Sequence, residues 1–422
     1  DILLDNGSVA GAAGIEMTTG KFFVIKAKAV ILCTGGAMRI YPHTTAPEEL
    51  TGDGLAMAYR VGAKLVDMEF PMFLPYTLMR PESLDGVDFS YLPSAYVETH
   101  ALNRHGERYM NRWDPERLEH STRDVNSIAA MVEVLDGRGS PSGGTYLSLK
   151  HLPDNLIEFS ADWFPSSIAN WRYGGFNMKN YLPDLRTHAM ETSPASHFWN
   201  GGVKINEFCE TGIPGLYAAG EGTGSIHGAN RVSGNALTMT QVWGPRAGLY
   251  ASKYVAETGS KTIDLNQVVE IKERLHAPLK RDSGIDAIAL RKKIQEVAWT
   301  NVGVVREEKG LKKGLEEIAS MKAQLQDVYV TNKAKRYNME WIEAMQLENM
   351  LDVMEMVARA SLVRQESRGA LYRRDFPKTD NVNWVKNIIV EKKNGEISTS
   401  VHDVKLDKYE PKRVIRDYGC KE

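Results

Sequence analysis

A chain of 422 residues is long enough for two or three domains, and its 42% hydrophobic content supplies the apolar surface for real cores. Its 52 basic and 54 acidic side chains leave a formal charge of −2, which gives no electrostatic footprint for a nucleic acid. Three cysteines, Cys33, Cys209 and Cys420, have no spacing that suggests a metal site or a disulfide framework and fit a reducing compartment, and no apolar run is long enough to span a bilayer.

Asp5-Asn6-Gly7 and Thr19-Gly20 are turn signals, so residues 1–32 read as strand, turn, strand, turn and a final run, AVIL, that leads into Gly35-Gly36. A continuous Val-Ile-Leu run is expected to be a buried strand, and the segment looks like the end of a dinucleotide-binding domain, with no G-x-G-x-x-G after a first strand before it. Thr51-Gly52-Asp53-Gly54 starts a helical pattern over 55–61 that Gly62 closes, and Asp53 suits an N-cap. From about Met72 to Asp184 the character changes to short strands, aromatics and irregular loops, an insertion between two parts of one domain. Within it Pro115 is expected to begin a helix carrying Arg123 and Asp124, whose default role is a solvated surface ion pair.

In SHFWNGGVKIN (196–206), His197 precedes aromatics and a Gly-Gly, which suits either a hydrogen-bonded core histidine or a ligand. The stretch 215–248 opens with a short apolar strand over 216–219 and runs through Gly220, Gly222, Gly224, Gly228 and Gly234 before an amphipathic segment near Leu237. Glycines between a strand and a helix let backbone N–H groups approach a ligand, and the helix adds its positive N-terminal end. Glu221, His227, Asn230, Arg231 and Asn235 bring more hydrogen-bonding power than a tight turn needs. Beyond Lys261 apolar residues recur at three- and four-residue spacing: Ile285 to Val297, Leu311 to Leu325, Ile342 to Val357. These predict three amphipathic helices that bury their stripes together, with the methionines as adaptable core filler.

AAGE followed by HGANR-x-x-GN-x-L resembles the flavin-binding signature of the succinate dehydrogenase/fumarate reductase flavoprotein family, which includes L-aspartate oxidase. The chain is similar to that family at TGDG-x-x-x-A-x-x-x-GA (51–63), at the segment from Asn103 to Arg123-Asp124-Val125, at His197 with its Gly-Gly, and at the tail RQESRGALYRRDFPKTDNVNW (364–384), so the resemblance covers nearly all of it. It implies an α/β FAD-binding domain, present in part, with an inserted α+β capping domain and a C-terminal helical bundle. The implied division is 1–71 and 191–258 for the FAD-binding domain, 72–190 for the cap, 259–363 for the helices and 364–422 for the tail. FAD is the implied cofactor, met by Thr34, Gly35, Gly36, Asp53, Glu221, Asn235, Ala236 and Leu237. Arg231 and His197 are the implied ligands of a substrate carboxylate, and Arg123 the implied proton shuttle. The family's dinucleotide fingerprint lies upstream of the segment matched at 30–36. The chain is therefore expected to be a fragment or half of a split protein, with a partner chain carrying the missing N-terminal FAD-binding segment. The resemblance also implies a cytoplasmic location, membrane-peripheral through partners, and an electron-transfer partner that carries iron–sulfur clusters.

The chain departs from the family at three points. Ala236 stands where the family has Ser, which removes a hydroxyl near the ring. Leu74, in MFLPYT, replaces a His that meets a carboxylate, which implies a pocket with one apolar wall. The family's Thr-Glu pair ahead of Asn103 is not found, and Glu98-Thr99 is its nearest substitute.

The reading is therefore an FAD-dependent oxidoreductase that moves a hydride between flavin N5 and a C–C or C=C carbon of a small carboxylate substrate. Arg231 and His197 would meet developing negative charge as preorganised positive groups. An arginine is too weak an acid for ordinary proton transfer, so Arg123 would need relay partners. The alternatives are an amino-acid oxidase like L-aspartate oxidase and a flavoprotein that is non-catalytic or relays electrons.

Overall fold

The computed structural model describes residues 1–88, 99–157, 183–406 and 416–418. Asn6 and Gly7 both sit at positive φ, 48° and 77°, the geometry of a tight two-residue hairpin turn. Strands Ile2–Asp5, Ser8–Glu16 and Lys21–Lys26 accordingly form an antiparallel three-stranded sheet in chain order. The next strand, Val30–Leu32, pairs in parallel with Leu216–Ala218, so that Leu32 faces Ala218. The run expected to be buried is only half so, because Ile31 is 38% exposed. Its strand has one hydrogen-bonded neighbour among the described residues, which leaves an open edge.

Helix Asp53–Arg60 forms as predicted, but Gly52, left-handed at φ 90°, is its N-cap. Asp53 instead accepts from the Thr51 hydroxyl at 3.0 Å and the Asn349 amide at 2.7 Å. Strand Leu65–Val66 then leads to the long, fully buried strand Pro71–Leu78. That strand edges a four-stranded antiparallel sheet whose order continues with Met190–Trp199, Thr145–Ser148 and His100–Leu102. Helix Arg123–Glu133 packs on the sheet, its Ser127 donating to the Phe73 carbonyl at 3.2 Å and its Asn126 accepting from Tyr76 at 2.7 Å. Pro115 does not begin this helix. It lies in a turn closed by the Asp114 side chain, which accepts from the Arg117 N–H, and the chain breaks again at Leu118 (φ 52°) and at extended Thr122.

On its return the chain forms Gly202–Val203, antiparallel to Leu65–Val66, so the two connections to the inserted region are hydrogen-bonded neighbours. Strands Lys386–Lys393 and Glu396–Asp403 extend the same sheet. The three predicted helices are Ala287–Val302, Glu308–Gln324 and Met339–Val363. Leu290, Ile294, Leu311, Ile318, Leu347, Met350, Met354 and Val357 are all at most 2% exposed and share one core, which is the filler role expected of the methionines. Ile285 falls outside the first helix, in the short strand Ile285–Asp286 paired with Val328–Tyr329. A further helix, Leu265–Lys280, carries Val268, Ile271, Leu275 and Leu279 at helical spacing, a stripe that is only half-buried, while Leu265 and Val269 are 72% and 54% exposed. Asp264 caps it by accepting from the Asn266 N–H. Cys33 and Cys209 are free thiols, and Cys420 lies outside the described residues. No described helix is long and apolar enough to cross a membrane.

Candidate active site

The parallel pair Val30–Leu32 and Leu216–Ala218 ends in two glycine loops on the same edge, the side on which open parallel sheets receive ligands. Gly35 and Gly220 turn there at φ 71° and 77°, and a Cβ on Gly222 would stand 3.2 Å from the Gly35 carbonyl oxygen. Gly36 is packed harder still, since a Cβ would come within 2.5 Å of the Trp199 Cβ and 3.1 Å of Glu221 Oε1. Glu221 accepts the Trp199 N–H at 2.8 Å, and burial pushes its carboxyl up to about 7. Thr34 packs beneath the Asp53 helix, where Gly54 leaves no room for a Cβ.

The loop 223–234 delivers helix Asn235–Glu257, whose N-cap Gly234 (φ 84°) offers no side chain, so its first turn carries no side-chain cap, although the Asn235 and Leu237 N–H groups donate to the Val232 and Gly234 carbonyls at 3.3 and 3.2 Å. Leu237 beside them is 70% exposed and Val232 68% exposed, and the His227 Nε2 is buried with no hydrogen-bond partner among the described residues. A helix start without a side-chain cap, an open leucine, an orphaned ring nitrogen and a buried carboxylate around one glycine cradle fit a large planar ring with a polar tail, the chemistry of a flavin.

His197, Arg231 and Arg123 come from three separate segments and meet beside this cradle. Met72 faces Phe198 and Phe73 faces Ser196, so His197 is the extra residue of a β-bulge, a device that re-aims a side chain. Its Nδ1 lies 2.8 Å from the Thr45 hydroxyl. The Arg231 guanidinium sits 4.3 Å from the centre of the Phe198 ring and donates to the Val232 carbonyl at 3.3 Å, and His227 meets the same ring edge-on. Arg123 donates through Nη2 to the Ser233 hydroxyl at 3.1 Å. Burial, and then the charges of Arg123 and Arg231, push the His197 imidazole down to about 4. This corrects the expectation of a positive His197: the ring is neutral near pH 7, and the positive charge comes from the two arginines.

Asp124 is buried and is not a solvated partner of Arg123. Its Oδ1 accepts from Asn230 at 3.1 Å, and its Oδ2 from Arg416 at 3.0 Å and Tyr418 at 3.2 Å. The tail also braces the glycine loop, because the Ala370 N–H donates to the Ala229 carbonyl at 2.9 Å, and Gly369 (φ 55°) approaches that oxygen too closely for any Cβ. Behind it Arg364, fully buried, donates to Glu69 at 2.8 Å and Glu366 at 3.0 Å. Burial outweighs the neighbouring guanidinium at Glu69 and raises its carboxyl to about 7. None of Thr45, Glu69, Arg416 or Tyr418 carries a local sequence signal for its place here.

Leu74 is fully buried and pairs with Ala195. It shares a strand face with Met72, which packs against Phe198 and Met239. His100 lies on the opposite edge of the four-stranded sheet, stacked on His151. Glu98 falls outside the described residues, and Thr99 is buried.

Residues 1–237 match the family model described as FAD binding domain, and residues 291–418 match that of the fumarate reductase flavoprotein C-term. The chain is 37% identical over 395 residues to one subunit of the fumarate reductase (CoM/CoB) of Methanothermobacter marburgensis, covering 93% of this chain and 69% of that one. It is 32% identical over 435 residues to the fumarate reductase flavoprotein subunit of Mycobacterium tuberculosis, covering 97% and 72%. Among solved structures, Mycobacterium smegmatis Sdh1 in complex with UQ1 superposes with a TM-score of 0.86 at 31% identity, over 97% of this chain and 67% of that one. A quinol-fumarate reductase with menaquinol molecules gives 0.84 at 28% identity, over 98% and 72%. The cradle, the bulged histidine and these likenesses converge: the chain belongs to the fumarate reductase/succinate dehydrogenase flavoprotein family, whose members are FAD-dependent oxidoreductases.

Proposed function

We propose that the chain interconverts the C–C and C=C forms of a small carboxylate substrate bound between Arg231, His197 and Arg123. FAD, when bound, supplies the redox chemistry by exchanging a hydride at flavin N5 with a carbon of that bond. Glu221, Asn235, Ala236, Leu237, Thr34, Gly35, Gly36 and Asp53 would hold the cofactor. Arg231 anchors the carboxylate with a fixed fork of donors, and its stacking on Phe198 sets the angle of that fork. His197, neutral, adds a hydrogen bond, so the carboxylate meets donors already in place when charge develops. Arg123 holds the proton at the far carbon and is steadied by Ser233.

Residues 72–190 act in this reading as a cap over the substrate, moving about the paired segments Leu65–Val66 and Gly202–Val203. Residues 1–71 and 191–258 hold the cofactor, residues 259–363 form the helical support, and in the tail Ala370, with Arg416 and Tyr418 by way of Asp124, braces the loop from behind. Several relatives are named as subunits, and the electron partner we propose is an iron–sulfur subunit.

The observation that carries the reading is the convergence of three distant segments on one bulged histidine flanked by two arginines. The test is reoxidation of the chemically reduced flavin by fumarate and by monocarboxylate enoates, followed by flavin absorbance without oxygen. Arg231→Gln should keep flavin and lose reoxidation by every such acceptor. Undiminished reoxidation in that variant would sink the assignment.

A further inference from the structure

The segment 43–45 runs beside the bulge and is fastened to it on both sides. The Ser196 N–H donates to the His43 carbonyl at 2.9 Å, the Thr45 N–H donates to the Ser196 carbonyl at 3.1 Å, and the Thr44 hydroxyl donates to that same carbonyl at 2.9 Å. Thr45 is therefore held by backbone ladders rather than by its own side chain, and its hydroxyl has a fixed place 2.8 Å from His197 Nδ1. A loop residue 152 positions away in the chain thus meets one ring nitrogen of a histidine that two arginines flank.

The chemistry of the ring then decides what that contact does. Burial and two neighbouring guanidinium groups keep the imidazole neutral, so it carries a single proton. A carboxylate substrate only accepts hydrogen bonds, so the nitrogen facing it must be the protonated one. The other nitrogen is then a bare acceptor that needs a donor, and a threonine hydroxyl is one.

Resting on the substrate role given to His197 above, we propose that Thr45 is a positioning residue. By donating its hydroxyl proton to Nδ1 it holds His197 as the Nε2–H tautomer, aiming a donor at the substrate carboxylate. Without that hydroxyl the ring is free to move its proton to Nδ1. It would then present a bare Nε2, which has nothing to donate to the substrate.

The FAD-loaded protein, labelled with 15N-histidine and assigned with His197→Gln, tests this by nitrogen chemical shifts, which report the protonated ring atom without any turnover. The wild type and Thr45→Ser should show the proton on Nε2, whereas Thr45→Val should show a mixed or reversed ring. Fumarate kinetics on the same proteins should show KM raised roughly tenfold in Thr45→Val, with a smaller fall in kcat, and both restored in Thr45→Ser. A wild-type ring protonated on Nδ1 overturns the proposal without reference to any variant. So does an unchanged tautomer in Thr45→Val, which leaves the substrate reading standing, whereas a wild-type Nδ1–H ring also removes His197 as a donor to the substrate and leaves the anchoring to Arg231. A tautomer that changes in Thr45→Val while KM and kcat stay put upholds the role of Thr45 and overturns the substrate role of His197 instead.

Discussion

Asn230 donates its side-chain amide to Asp124 at 3.1 Å, which ties the glycine-rich loop to the first turn of the helix carrying Arg123. Arg416 and Tyr418 close on the other oxygen of the same carboxylate, so one buried aspartate joins loop, helix and tail. Asp124→Ala should destabilise the flavin-loaded protein by about 2 kcal/mol, because it leaves the buried Tyr418 hydroxyl and the half-buried Asn230 and Arg416 groups without their acceptor. Tyr418→Phe should cost only about 1 kcal/mol. Urea unfolding measures both, and a loss below about 0.5 kcal/mol for Asp124→Ala would show that the network is idle.

Arg123→Lys keeps a charge but loses the fork that reaches Ser233 and the substrate side at once. Turnover should fall roughly 10²- to 10⁴-fold with flavin content unchanged. Near wild-type turnover would remove Arg123 from the proton route.

Glu221 introduces a pH dependence whose sign follows from its raised carboxyl. Folding lifts it from 4.5 to about 7 by burial, so the folded protein holds an extra proton between those values. The associated stability is complete below the lower value and is lost as pH rises through the upper one. Glu221→Gln should flatten this part of the profile, read from denaturation midpoints below and above about 7. Glu69 is raised to about 7 as well, so the difference between variant and wild type isolates Glu221. A profile of unchanged shape would show that Glu221 titrates as an ordinary carboxylate.

We propose that Leu74 makes one wall of the site apolar, beside Met72, which packs against Phe198, the ring on which Arg231 stacks. A second anionic end facing that wall would be desolvated without a partner, a penalty of about 3 to 5 kcal/mol by analogy with a broken buried pair. A substrate with one carboxylate and an apolar or aromatic remainder should therefore be turned over better than fumarate or succinate. Leu74→His should shift preference back toward the dicarboxylate. Steady-state kcat/KM for fumarate against a monocarboxylate enoate decides the matter, and a wild-type preference for fumarate would defeat the idea. His100, on the far edge of the sheet, is not placed to supply the missing cation.

What could be read from the chain alone was local. The Asn6-Gly7 turn, the helix after Gly52 and the three packed helices each depend on dihedral preference or on the face a residue presents within a few positions. The glycine-rich loop with Glu221 and Arg231 was equally legible, because backbone freedom and hydrogen-bonding power are concentrated in one short stretch. Pro115 misled for the same local reason: proline favours a helix start, but the Asp114 side chain captured the turn before one could form. Only the tertiary structure decided that His197 would be the unpaired residue of a bulge, that Thr45 would meet it, and that Asp124 would face Asn230 and Tyr418 rather than Arg123 or water. Strand register and loop docking are settled by the burial and hydrogen bonding of whole layers. No residue carries a mark of the partner that comes to it from more than a hundred positions away.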